Sequence, residues 1–170
     1  MKSLSSMRPQ DIVILLKLLT VQEPDWKYRD LSASLSIATS EVSESLVRSH
    51  QARLIDESRR NVHRQSLMEF LEHGIRYVFP QVPGSMVTGI PTAHSHPFYK
   101  QHFAIEFNYV WSYEDGTMRG LAIQPLHKGV PKACLQDELL YELLASVDIL
   151  RVGKVRERQL ALERLQKVVL

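Results

Sequence analysis

One cysteine in 170 residues, Cys134, leaves no possibility of an internal disulfide, so the chain must be held together by its core. A lone thiol fits a reducing compartment, and the cytoplasm is expected. Long apolar runs are missing too. The run Ile12, Val13, Ile14, Leu15, Leu16 ends at Lys17, far short of the roughly 20 residues a bilayer span needs, so no membrane association is expected. The opening MKSLSSMRPQD has no apolar stretch leading to a small-residue cleavage site and does not read as a secretory signal. Glycine is scarce, at 7 residues, and none sits in a phosphate-binding P-loop or a Gly-x-Ser-x-Gly elbow. His-Glu-x-x-His and Cys-x-x-Cys are also absent, so neither an enzyme nor a cofactor is expected.

What is present is the composition of an ordinary globular protein, 44% apolar and 24% charged. The length suits one domain, or a small domain with an extension. A net charge of +2 does not by itself announce a nucleic-acid partner, but the cations are unevenly placed. Arg48, Arg53, Arg59, Arg60 and Arg64 face only Asp56 and Glu57 in their stretch. From Arg151 to the end, six basic residues stand against Glu157 and Glu163.

Three zones follow. Residues 9–79 hold only Pro9 and Pro24 and repeat apolar positions every three or four residues, which is a helical pattern. Residues 80–132 carry six of the eight prolines and five of the seven glycines, marking loops with some β-structure. Residues 133–170 return to helix. The expected division is 1–79 as one module and 80–170 as a β-hairpin segment with C-terminal helices for dimerisation or sensing.

In the first zone Pro9 opens a helix whose inner face is Ile12, Leu15, Leu16 and Leu19. Pro24 ends it. A second helix runs from about Lys27 to Leu35 with Leu31 and Leu35 inward, and a polar turn follows around the apolar Ile37. Thr39 or Ser40 is then expected to cap a third helix that buries Val42 and Leu46. Two short helices joined by a turn with one apolar plug are the packing of a helix-turn-helix.

The stretch LSASLSIATSEVSESLVRSHQARLI, residues 31–55, resembles the corresponding part of MarR-like winged helix-turn-helix regulators. The resemblance covers about residues 10–64 and implies a mainly α fold with a small β component. It also implies that the third helix enters the major groove of double-stranded DNA, with Thr39, Ser40, Ser43, Glu44 and Arg48 facing the bases. Residues 56–61 would form a stub wing with Arg59 and Arg60 at its tip, followed by Arg64, while Lys27, Tyr28 and Arg29 would hold a backbone phosphate. Asn61 is placed to cap the next helix, which carries Leu67, Phe70, Leu71 and Val78.

Further on, Phe103, Ile105, Phe107, Tyr109 and Trp111 alternate with other residues, a period-two signal for a strand. Asp115-Gly116 suits a turn, and residues 117–123 are expected to return as the second strand of a hairpin. His94, His96 and His102 lack the further ligand that a closed metal site needs, and no metal is expected. Leu135, Leu139, Leu140, Leu143, Leu144, Val147 and Leu150 trace a broad helical stripe, interrupted afterwards by Gly153. Such a stripe must pack on the chain itself or on a second copy, so a homodimer is expected. Arg151, Lys154, Arg156 and Arg158 gather around that glycine as a candidate anion or partner site. Together these readings point to a sequence-specific regulator of transcription that binds double-stranded DNA. The alternative is a winged-helix interaction module, an antitoxin or adaptor whose C-terminal half grips a partner protein.

Overall fold

A computed structural model describes residues 6–170, so part of the opening segment read for a secretory signal lies outside the described residues. The fold is mainly helical with a small mixed sheet. Helix α1 (Pro9–Thr20) starts at a proline, and the Asp11 carboxylate accepts the Arg8 N–H at 2.8 Å. All five residues from Ile12 to Leu16 are buried, because α1 has neighbours on more than one side. Helix α2 (Tyr28–Leu35) buries Leu31 and Leu35 and ends with Ser36 in the left-handed region at φ 55°. Ile37, 2% exposed, plugs the turn into α3 (Thr39–Gln51), which packs on both α1 and α2. The cap of α3 is Ala38 rather than Thr39 or Ser40, which form the first helical turn.

After α3 a loop is closed by one antiparallel bridge, Ile55 to Val62, with no return strand beyond it. The expected helix after it is two: α4 (Arg64–His73) and α5 (Ile75–Val78), broken at Gly74. His63, not Asn61, precedes α4. Asn61 is instead drawn back to the Asp56 carboxylate, and Val78 points outward.

The expected hairpin is replaced by a different sheet. Strand β1 (Met86–Pro91) pairs antiparallel with both β2 (Tyr109–Ser112) and β3 (Met118–Ala122), and those two run parallel to each other, Tyr109 beside Leu121. The three strands close on one another, and the turn between β2 and β3 lies against the β1 backbone: a Cβ on Gly116 would lie 2.4 Å from the Gly89 Cα. The aromatic alternation from Phe103 overstated β2, since residues 103–108 form a loop in which Phe103 stacks on Tyr99. Between β1 and β2 lie a 3-10 turn (Ala93–Ser95) and α6 (Pro97–Lys100).

Three more helices complete the chain: α7 (Val130–Cys134), α8 (Glu138–Val152) and α9 (Val155–Val169). Asp137 caps α8 through the Leu140 N–H at 2.9 Å, and the same carboxylate accepts from Lys17 and Thr20 at the end of α1, both at 2.8 Å. The apolar stripe of α8 from Leu140 onward is buried by the chain itself, with Leu139 exposed at its start and Leu135 exposed just past α7. Because α1 packs on α8 and α4 on α9, one continuous apolar core crosses the expected boundary at residue 79.

Candidate nucleic-acid interface

Helix α3 has two unlike faces. Val42, Ser45, Leu46 and Ser49 are buried against the neighbouring helices, and the short side chains at 45 and 49 leave room for α1. The opposite face carries Thr39, Ser40 and Glu44, all exposed, and the half-buried Ser43. No described segment covers this face, so hydroxyls that can donate or accept, and one carboxylate, meet solvent together.

Arg48 is not among them, which corrects the sequence expectation. It is 4% exposed, and its Nε and Nη2 donate to the two carboxylate oxygens of Asp11 at 2.9 and 2.7 Å. This paired hydrogen bond to Asp11 raises the Arg48 pKa above its ordinary value. The physical reason lies on α1: Asp11 is fully buried at the head of an apolar run and needs a cation inside the core.

The cations around α3 divide into free and engaged groups. Lys27 and Arg29, at the start of α2, and Arg53, just past α3, are exposed. Tyr28 is half-buried and stacks on Trp26 at 6.1 Å between ring centroids. Arg60 lies over the same Trp26 ring, 4.2 Å from its centre, and donates to the Trp26 carbonyl at 2.6 Å. It therefore fastens the loop to the chain before α2 instead of standing at a free tip. Arg59 takes the left-handed conformation at φ 58° and is half-buried. Below it the Asp56 carboxylate accepts from Asn61, Ser58 and the Arg60 N–H; the Asn61 hydrogen bond is the main reason its pKa is held far below the usual range. One aspartate thus does the shaping that a glycine turn would otherwise do. Arg64 is turned away, donating to the carbonyls of Val168 and Val169 at 3.2 and 3.1 Å at the negative end of α9.

The candidate anion site around Gly153 is also largely spoken for. Arg151 is held by Asp148 at 2.9 Å and by the Phe79 carbonyl at 2.9 Å, while Arg158 donates to the Gly153 carbonyl at 2.9 Å. Only Lys154 and Arg156 stay exposed, and the Lys154 N–H is already taken by Glu157 at 3.1 Å. The histidines part company. His94 contacts Glu157 at 2.9 Å, His96 caps α6, and His102 is exposed.

Sequence reading missed two arrangements. Asp148, 2% exposed, accepts from Thr92 and Trp111, both at 2.7 Å, and joins the sheet to α8; the signal was an acid in the middle of an apolar helix. The second is the segment HKGVPK, residues 127–132, which packs on the end of α2: a Cβ on Gly129 would stand 2.2 Å from the Leu35 carbonyl oxygen. Its density of basic residues was the legible sign. Comparison with known protein families, with curated proteins and with solved structures finds no match to this chain.

Proposed function

We propose that this chain binds double-stranded DNA in a sequence-dependent way and regulates transcription, with α3 reading the major groove in the manner of a winged helix-turn-helix. The observation that carries the reading is the uncovered face of Thr39, Ser40, Ser43 and Glu44, on a helix that packs on α2, at whose start Lys27 and Arg29 are exposed cations. Hydroxyls and a carboxylate supply base-edge hydrogen bonds, and Glu44 accepts from a cytosine amino group. Lys27 and Arg29 supply phosphate contacts at the start of α2. Two copies presenting two such helices would read two half-sites about one helical turn apart.

The test is selection of bound duplexes from a fragmented genome, followed by titration of a recovered site. Binding is expected to weaken steeply with salt. The triple variant Thr39→Ala, Ser40→Ala, Ser43→Ala is expected to lose preference for the recovered site while keeping salt-dependent binding to unrelated DNA. Retained preference in that variant, or absence of any enriched sequence, overturns the proposal.

A second reading, a module that docks a partner protein, draws on Tyr77 and Val155. Both are 73% exposed, and both line a groove between α5 and the start of α9 with Arg76 and Leu162. A one-to-one complex that survives gel filtration without DNA would favour it.

A further inference from the structure

The second half of the chain packs on α2, the helix that precedes α3, at its C-terminal end. Residues 127–129 sit on the C-terminal end of α2, where the Gly129 backbone approaches the Leu35 carbonyl too closely for any side chain at that position. The loop is fixed from both sides: Leu126 is 7% and Val130 2% exposed, the Gly129 N–H donates to His127 Nδ1 at 3.0 Å, and the Val130 N–H to the His127 carbonyl at 3.0 Å. Glu41, on the first turn of α3, and Lys128 are the charged groups acting on the half-buried His127. Between these anchors Lys128 is exposed, and no carboxylate among the described residues lies within ion-pairing distance of it.

This places cations at both ends of α2. Lys27 caps its start, and Lys128 stands by its end. A helix of this length spans about 12 Å, and the major groove of B-DNA is about 12 Å wide between its phosphate strands. A lysine on a pinned loop also loses less freedom on contact than one on a loose arm.

We infer that Lys128 is a second DNA-backbone contact, donated by the C-terminal half, which grips the phosphate strand across the groove from Lys27. The inference rests on the DNA-binding reading above.

The probe is a fluorescein-labelled duplex of about 30 base pairs and mixed sequence, titrated by anisotropy between about 50 and 200 mM salt. Four proteins are compared: wild type, Lys27→Ala, Lys128→Ala, and Lys100→Ala as a control that removes the same charge from α6. Each lost phosphate contact lowers the salt slope by about 0.9, so the affinity loss across that salt range shrinks about 3.5-fold for Lys128→Ala and for Lys27→Ala, but not for Lys100→Ala. Lys128→Arg is expected to retain the wild-type slope. If Lys27→Ala lowers the slope and Lys128→Ala matches Lys100→Ala, the inference fails and the DNA reading stands. If the wild-type chain binds no duplex at the lowest salt, both fail.

Discussion

Replacing Arg48 by methionine tests the assignment of this residue to the core instead of to the DNA. The substitution keeps a long side chain and so opens little cavity, but it removes two charge-assisted hydrogen bonds of 2.9 and 2.7 Å and strands a carboxylate that is 0% exposed. Breaking one side of a buried pair costs about 3 to 5 kcal/mol, because the remaining charge keeps its desolvation penalty. Asp11 retains only the Arg8 N–H as compensation. A loss of about 4 kcal/mol is therefore expected. With a urea slope of about 2 kcal/mol per molar, the unfolding midpoint falls by about 2 M. The double variant Asp11→Leu, Arg48→Met removes both charges and is expected to recover most of that loss, short by about 1 kcal/mol for the missing contact at the head of α1. The assay is urea unfolding followed by tryptophan fluorescence, read as a double-mutant cycle. A cost below about 1 kcal/mol for Arg48→Met, or simple additivity in the double variant, would refute the buried-pair argument. In low denaturant the folded fraction of Arg48→Met is expected to keep the wild-type salt slope for DNA, since its guanidinium never reaches the surface.

Two further outcomes are expected. His96 is 7% exposed and burial lowers its pKa from 6.5 to about 4, so it stays neutral in the folded chain while the unfolded chain takes up a proton below 6.5. Stability is thus fully present above pH 6.5 and lost as the pH falls toward 4, by about 3 kcal/mol for this group. His96→Asn keeps an acceptor for the Phe98 N–H and should flatten that decline in chemical unfolding; an unchanged slope would count against the assignment. Gly116→Ala puts a methyl group 2.4 Å from the Gly89 backbone and should cost about 3 kcal/mol by prying the strands apart, measured as a fall in Tm; a neutral effect would contradict the close approach.

The helices were legible because their information is local. Leu31 and Leu35, then Val42 and Leu46, pair at helical spacing on either side of the turn residue Ile37, and all five are buried. The sheet was not, because its partners are far apart in sequence: β1 has no alternation of its own and gains order only where Gly89 meets Trp111 and Ser112. The aromatic alternation from Phe103 was a real pattern with another cause, ring packing of Phe103 on Tyr99 and His94. At the candidate interface, exposure of Thr39, Ser40 and Glu44 followed from the helical wheel. The placements of Arg48, Arg60 and Arg64 did not, since each is decided by an acceptor at least 34 residues away: Asp11, the Trp26 carbonyl and the end of α9. Periodicity reports which side of a helix is greasy. It carries no word about which arginine a distant acid will claim.

Helix α1 lies between α3 on one side and α8 on the other, and all of Ile12 to Leu16 is buried there. Close-packed interiors are nearly incompressible, so the packing around α1 leaves little slack between α3 and α8. The two halves of the chain are thus joined at α1 by packed side chains and by no flexible linker.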